Sequence, residues 1–127
     1  MGHSGRGGIP VSLLVALATG LGGAAGALLR AWVGRFIRTG FPLATLVVNV
    51  SGSFLLAAAL GGLDPSAEWT RALIGSGFCG ALTTFSTFIL ELVLLVRSRR
   101  RMEAGAYLIL TLGLCCLASW LAISLVT

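Results

Sequence analysis

Charged residues are scarce in this chain, and lysine is missing altogether. Asp, Glu, Lys and Arg together make up 10% of the 127 residues, whereas 57% are hydrophobic. A soluble domain of this size has too few polar side chains to cover so much apolar surface. The composition and the mean hydropathy of +1.00 therefore exclude a soluble enzyme and indicate that the folded chain is dissolved in a lipid bilayer.

Histidine and cysteine are also rare, and neither has the spacing of a metal site or a catalytic site. The single histidine, His3, lies in the N-terminal tail without a second ligand beside it. Cys79, Cys115 and Cys116 fall within long apolar stretches, where a free cysteine packs as a small hydrophobic residue. A membrane hydrolase would need a nucleophile with a buried base next to it, and no such pair is visible. We therefore expect no enzymatic activity.

Four long apolar stretches take up nearly the whole chain. They cover about residues 9–29, 41–62, 72–96 and 104–126. Each is long enough to cross a bilayer core, which takes ~20 residues of α-helix. The first is too long for the hydrophobic region of a signal peptide, so we interpret it as a retained helix. The sequence thus predicts an all-α membrane protein, with residues 1–127 forming a single unit of four transmembrane helices.

All nine basic residues are arginine, and they are unevenly distributed between the two ends of the predicted bundle. Seven lie at the loops between helices 1 and 2 and between helices 3 and 4: Arg30, Arg35, Arg38, Arg97, Arg99, Arg100 and Arg101. The other two are Arg6 and Arg71. Because arginine-rich loops tend to remain in the cytoplasm, this pattern predicts that both termini lie outside. The placement at helix ends also argues against nucleic acid as a partner, in spite of the net charge of +5.

Helices 1 and 2 carry small and polar residues at depths where apolar side chains are expected. Gly22, Gly23 and Gly26 lie along one stripe of helix 1, which predicts close packing against another helix. Arg30 ends this run and either extends to the membrane interface or shapes the electric field at an entrance for anions. Asn49 lies about eight residues into helix 2, so its amide should face protein or water. It either makes an interhelical hydrogen bond or lines a solute path.

Helix 3 contains the run GALTTFSTFILE at residues 80–91. Glycine is costly in a helix and β-branched residues are stiff, so we predict a break near the middle of this helix, between Gly80 and Thr83. Non-helical backbone at this depth must line a cavity or be buried in protein. The carbonyl groups that the break frees then need a hydroxyl, a water molecule or a cation as a partner.

Neutral hydrogen-bond donors surround the predicted break: Asn49, Thr84, Ser86 and Thr87. Phe85 and Phe88 lie among them on one helix face, and the edges of their rings are electropositive. Tyr107, Thr111 and Cys115 follow on one face of helix 4, at i, i+4 and i+8. Neutral donors and ring edges suit a small, hard anion that has to pass without being trapped. The alternative interpretation is that these side chains only pack the helices together.

Three strings, in this order, resemble motifs of the Fluc (CrcB-type) fluoride channel family. They are GGAAGALLR (22–30), PLATLVVNVSGSF (42–54) and GFCGALTTFSTF (77–88). The length and the four-span layout are similar as well, so the resemblance covers essentially the whole chain. It implies a passive channel in the cell membrane that exports fluoride from the cytoplasm and relieves fluoride toxicity.

The resemblance also implies an assembly and a cofactor. Subunits of this family form antiparallel, dual-topology homodimers with two fluoride pores, and a structural Na⁺ lies at the dimer interface. Gly80 and Thr83 match the positions whose backbone carbonyls hold this Na⁺. Phe85 and Phe88 match the phenylalanines whose ring edges contact fluoride, and Asn49 matches a pore-lining asparagine.

The remaining family positions fall on polar residues of helices 1, 3 and 4. Further pore positions match Ser86, Thr87, Glu91, Tyr107 and Thr111. The next position of this hydroxyl track falls on Cys115, which is a poorer donor. Arg30 matches an arginine beside the vestibule of the pore.

Three alternatives remain open at this point. The arginine bias is unexpected in a dual-topology homodimer, so an oppositely oriented paralogue is the alternative partner. A small multidrug-type proton-coupled exporter is similar in size, but it needs an ionisable carboxylate in helix 1, which this chain lacks. A non-transporting membrane assembly subunit would fold normally with Phe85→Ile and Phe88→Ile and would show no transport phenotype.

Overall fold

The computed structural model describes residues 8–127, and these residues form helices and loops without a β-strand. The helices are α1 (Val11–Phe36), α2 (Leu43–Gly62), α3 (Glu68–Arg71), a π-helix (Ala72–Cys79), α4 (Gly80–Leu82), α5 (Phe85–Arg97) and α6 (Arg101–Val126). His3 and Arg6 lie outside the described residues.

Within the described residues, four segments are long and apolar enough to cross a membrane: α1, α2, the segment Glu68–Arg97 and α6. This confirms the predicted all-helical chain with four spans. The third span, Glu68–Arg97, comprises α3, the π-helix, α4 and α5. α1 continues past residue 29 to Phe36, so Arg30 lies inside the helix and not at its end. The third and fourth spans also begin earlier than expected, because charged residues such as Glu68 and Arg101 are good helix formers that an apolar window leaves out.

α1 packs along the π-helix at a separation that only glycine permits. A Cβ atom on Gly22 would collide with the carbonyl oxygen of Leu73, and one on Gly26 would collide with that of Phe78. At Gly23 an added Cβ would lie 3.9 Å from the nearest backbone atom, which is ordinary contact. The structure therefore confirms the predicted packing stripe on helix 1. It brings the backbone of α1 directly against the third span.

A small apolar core lies where α2, α5 and α6 meet. It contains the buried residues Leu46, Phe88, Leu95, Ala104 and Tyr107. Lipid tails are as apolar as these side chains, so close packing stabilises this core more than the removal of surface from water does.

Two tight turns set the directions of the later spans. Oδ1 of Asp64 accepts hydrogen bonds from the N–H (2.8 Å) and the hydroxyl (2.7 Å) of Ser66, which closes the turn between α2 and α3. The same two bonds hold the pKa of Asp64 below its ordinary value. Between α5 and α6, Arg99 has a φ of 59°, and the Arg100 N–H donates to the Leu95 carbonyl at 2.9 Å. This is a Schellman closure, in which glycine is the usual residue.

Candidate functional site

Two residues in extended conformation interrupt the third span. Thr83 (φ −78°, ψ 153°) and Thr84 (φ −150°, ψ 117°) separate α4 from α5. The break thus starts at the end of the predicted interval, 80–83, and includes one further residue. β-Branched side chains suit extended backbone. Gly52 of α2 makes room for this conformation, because a Cβ there would collide with the methyl group of Thr83.

The break removes the helical hydrogen-bond donors from the last carbonyl groups before it, among them those of Gly80 and Thr83. In a continuous helix the N–H groups of Thr84 and Thr87 would donate to the carbonyls of Gly80 and Thr83. Here the Thr84 N–H donates to Oδ1 of Asn49 at 2.8 Å, and the Thr87 N–H donates to Oγ1 of Thr84 at 3.2 Å. The carbonyls of Gly80 and Thr83 have therefore lost these partners, and Gly80 is exposed on the surface of the subunit.

Asn49 holds the break from the neighbouring helix α2. Besides accepting the Thr84 N–H, it donates from Nδ2 to the Thr84 carbonyl at 3.1 Å. Both residues are 8% exposed, and unpaired backbone groups at membrane depth are costly. The interhelical hydrogen bond considered for Asn49 is therefore present, while its pore-lining role stays a prediction. Arg30 also reaches the break, since its Nη1 is 3.5 Å from the Thr83 carbonyl oxygen.

Thr84 caps the first turn of α5. Its Oγ1 accepts the Thr87 N–H and lies 3.1 Å from the Thr87 hydroxyl and 3.4 Å from the Ser86 hydroxyl. The first N–H groups of a helix carry its partial positive charge, and the last carbonyl groups carry its partial negative charge. The break therefore offers carbonyls from α4 that suit a cation. From α5 it offers amides and hydroxyls that suit an anion.

Glu91 lies two turns beyond the break and accepts hydrogen bonds from two other helices. The Thr45 hydroxyl donates to its Oε1 at 2.9 Å, and the Tyr107 hydroxyl donates to its Oε2 at 2.7 Å. Tyr107 is fully buried. Glu91 and Tyr107 were predicted from the sequence as pore residues, whereas Thr45 was not. The spacing of Thr45 could have indicated its place in the site, because Thr45 and Asn49 are one turn apart and share a face of α2.

The aromatic residues near the break lie in different environments. Phe88 is 3% exposed and packs on Tyr107 with 5.1 Å between ring centroids, and Phe41 meets Tyr107 edge-on at 5.6 Å. Phe85 is 5.9 Å from Phe88 but is 73% exposed. Phe88 is thus part of the interior of the subunit, whereas Phe85 projects outward beside the break.

Two cavities meet at the break. The arginine-lined cavity has a volume of about 470 Å³, and its walls include Arg30, Arg38, Thr45, Thr84, Thr87 and Glu91. The aromatic cavity has a volume of about 310 Å³, and its walls include Asn49, Thr84, Phe85, Phe88, Thr111 and Cys115. Thr84 borders both, so the break lies between them. Together they bring all the predicted pore residues to one region except Ser86 and Tyr107, which lie next to Thr84 and Glu91.

One hydroxyl in the wall of the aromatic cavity has no partner. Thr111 is 5% exposed, and its Oγ1 makes no hydrogen bond to any of the described residues. Buried side-chain hydroxyls are usually paired. Thr111 therefore carries a buried hydroxyl in the wall of this cavity that none of the described residues satisfies.

Comparison with known proteins extends over most of the chain. Residues 17–123 match the family model described as "CrcB-like protein, Camphor Resistance (CrcB)". The chain is 42% identical over 114 residues to "Fluoride-specific ion channel FluC 2" of Rhodococcus jostii (strain RHA1), which covers 88% of this chain and 98% of that protein. It is 46% identical over 111 residues to "Fluoride-specific ion channel FluC" of Alteromonas mediterranea, covering 82% and 87%. The protein of that name from Thermococcus onnurineus (strain NA1) is 42% identical over 110 residues, covering 79% and 89%.

The matched region includes parts of all four spans and the whole of the break. The named relatives are ion channels, which confirms the prediction that the chain is not an enzyme. The four spans and these relatives make it a multi-pass membrane protein. On the match to residues 17–123 and the identity to these relatives, the chain belongs to the CrcB-like family, the family that its three motifs resemble.

Proposed function

We propose that this chain is the subunit of a passive channel through which fluoride leaves the cytoplasm, relieving fluoride toxicity. The observation that carries the proposal is the break at Thr83 and Thr84, because it lies between two cavities and provides hydrogen-bond donors at membrane depth. The relatives from Rhodococcus, Alteromonas and Thermococcus are named as fluoride-specific ion channels. A fluoride-conducting role accounts for both the geometry and these names.

The donors along the two cavities suit a small anion that is bound weakly enough to leave. They are neutral groups: the hydroxyls of Thr84, Thr87 and Thr111 and the amide of Asn49. Fluoride is the smallest halide and the strongest hydrogen-bond acceptor among them, so short bonds to such donors can replace its water shell. The electropositive ring edge of Phe88 adds to them without a full positive charge. Conduction requires this balance between entry and release.

Charged residues lie mainly at the mouth of the path in this proposal. Arg30 and Arg38 line the arginine-lined cavity, where a positive field raises the local concentration of anions. Glu91 lies in the wall of the same cavity and holds the Thr45 and Tyr107 hydroxyls. Its carboxylate therefore orients two donors and limits how tightly an anion is retained.

The proposal includes an antiparallel homodimer with two pores. Phe85 is 73% exposed and Gly80 is exposed beside the break. In a monomer the polar backbone of Gly80 would face lipid, which is unfavourable. A second copy, related by a two-fold axis, would cover the same surface on both subunits. This dimer needs both orientations in one membrane despite the arginine bias, so an oppositely oriented paralogue is the competing partner.

We assign a structural Na⁺ to the centre of this dimer. The carbonyls of Gly80 and Thr83 suit such an ion because the break has taken away their helical donors, and Arg30 approaches only the Thr83 carbonyl, at 3.5 Å. Unwound carbonyls of this kind hold Na⁺ in broken transporter helices. The cation would coordinate these carbonyl oxygens and hold the break of both copies in place. It takes no part in the transfer of fluoride.

Fluoride efflux from liposomes, followed with a fluoride electrode, tests the proposed function. Reconstituted protein should release fluoride and retain chloride. Phe88→Ile should strongly reduce the efflux because the ring edge is lost. Phe36→Ile, at the far end of α1 and 69% exposed, is the matched control and should conduct normally. Folded protein that releases no fluoride, or releases both halides equally, would refute the proposal.

The dimer and the cation need separate experiments. Two differently tagged copies expressed together should purify as one complex. Replacement of Na⁺ by a large organic cation should lower the thermal stability of this complex and reduce the fluoride efflux. If exhaustive Na⁺ removal changes neither quantity, the carbonyl site is wrong. If the chain conducts only when a second, different subunit is present, the homodimer is wrong.

A further inference from the structure

The aromatic cavity contains two thiols that the channel proposal leaves without a role. Cys115 and Cys116 both line it, next to Phe88 and Thr111. Cys115 is half-buried and Cys116 is exposed, whereas Cys79 is buried. Of these three cysteines, Cys115 and Cys116 are therefore within reach of a molecule that enters this cavity, and Cys79 is not.

The position of Cys115 on α6 places its thiol beside the unpaired hydroxyl. Thr111 and Cys115 are one helical turn apart and share a face. Thr111 is 5% exposed, and its Oγ1 has no partner within residues 8–127. An unpaired buried hydroxyl marks this part of the wall as the part that a polar solute contacts. Cys116 is rotated from Cys115 by about 100° around the helix, toward the outer surface.

We propose that Cys115 is a modification site in the wall of the fluoride path. A small thiol-reactive electrophile that enters the aromatic cavity attaches there and closes the channel. This inference rests on the proposed function, since it assigns conduction to this cavity. A volume of about 310 Å³ admits a small reagent. Atoms added next to Phe88 and Thr111 occupy the space that the ion needs.

The native thiol leaves the path open. A thiol is a weak hydrogen-bond donor, so Cys115 contributes less to binding of the ion than a hydroxyl at the same position would. Its modification therefore acts by filling space and not by removing an important donor. Modification of a hydroxyl residue in the same cavity would, in contrast, also remove a strong donor.

Methyl methanethiosulfonate is a suitable probe because it is small and uncharged. The Cys115 thiolate attacks the reagent sulfur that carries the methyl group. A disulfide bond forms, the bond from that sulfur to the sulfonyl sulfur breaks, and methanesulfinate leaves. The thiol proton passes to the buffer. The reagent is itself the oxidant, and a dithiol reductant reverses the step by exchange.

The test uses the full-length protein in liposomes and compares treated with untreated efflux for each variant. Treatment should reduce the fluoride efflux of the parental protein at least about tenfold, because a pore for a nearly dehydrated ion has no room for an added group. Cys116→Ser is the matched control and should be inhibited to the same extent. Cys115→Ser should keep its own untreated rate after treatment. Dithiothreitol should restore the efflux of the treated parental protein.

Mass spectrometry of the treated protein reports the labelling independently of conduction. Inhibition that persists in Cys115→Ser, or that disappears in Cys116→Ser, overturns the assignment. So does a Cys115 that takes up no reagent, or one that is fully labelled while efflux is unchanged. Absence of fluoride efflux from untreated, folded protein would refute the channel proposal itself. The labelling would then still decide whether the Cys115 thiol is accessible.

Discussion

Replacement of Asn49 tests the hydrogen bonds that hold the break of the third span. In Asn49→Ala the Thr84 N–H loses its acceptor and the Thr84 carbonyl loses a donor, at a place where both residues are 8% exposed. An unpaired buried group costs about 1–3 kcal/mol. The Thr84 carbonyl also accepts the first backbone hydrogen bond of α5, so it keeps one partner and the cost of losing the Asn49 donor is smaller. We therefore expect a destabilisation of about 2–4 kcal/mol for the two bonds together.

Asn49→Asp separates the two hydrogen bonds. One carboxylate oxygen can still accept the Thr84 N–H, but the other would face the Thr84 carbonyl oxygen across the 3.1 Å now bridged by Nδ2. Aspartate should therefore stabilise the break no better than alanine, although it has the size of asparagine. Ser53→Ala, one turn further along α2, is the control. It should change the free energy of unfolding by less than about 0.5 kcal/mol.

The assay is chemical unfolding in detergent, followed by circular dichroism, with fluoride efflux measured on the same preparations. Efflux should fall with stability, because the donors of α5 lose their position when the break is released. If Asn49→Ala unfolds at the parental midpoint and still conducts, Asn49 does not hold the break. A parental midpoint for Asn49→Asp would show that the group facing the Thr84 carbonyl is not an N–H donor.

Three further predictions concern packing, the Glu91 cluster and the turn before α6, and each is measured by the midpoint of unfolding in detergent. Gly26→Ala should destabilise the protein by about 1–3 kcal/mol, because the added Cβ would collide with the backbone of the third span. Gly20→Ala, with nothing within 4 Å, should be harmless, and equal effects of the two would contradict the packing argument. Tyr107→Phe removes a 2.7 Å hydrogen bond to Glu91 and should cost about 1–3 kcal/mol and reduce efflux; parental behaviour in both assays would count against that bond. Arg99→Gly should add about 1 kcal/mol of stability, because glycine adopts the φ of 59° without strain. Arg99→Ala retains the Cβ and should show no gain, so an equal gain would point to the arginine charge instead.

The number of spans and the packing stripe could be predicted from the sequence. A bilayer imposes a nearly fixed length of apolar helix, so hydropathy was sufficient to count four spans. Close helix packing in lipid requires small side chains, so the glycines at 22 and 26 indicated a contact face without naming the partner. The ends of the helices were less predictable. Charged residues such as Arg35 and Glu68 continue a helix into the interface, where hydropathy gives no signal.

The break was predictable for a similar local reason. Glycine and tandem threonines weaken a helix through their own backbone and side-chain preferences, and Thr84 begins a new helix as a capping residue. These effects require only neighbours in sequence. The prediction therefore came within one residue of the observed interruption at Thr83 and Thr84.

Only the tertiary structure decided which side chains meet across the helices. Asn49 pairs with both backbone groups of Thr84, and Thr45 donates to Glu91, because α2 crosses the third span at this level. Periodicity placed Phe85 and Phe88 on one face, but it did not indicate that one is exposed and the other buried. The sequence by itself determined the spans, the glycine stripe and the weak point of the third helix. Residue spacing describes positions on a single helix, whereas contacts between helices depend on how their axes cross.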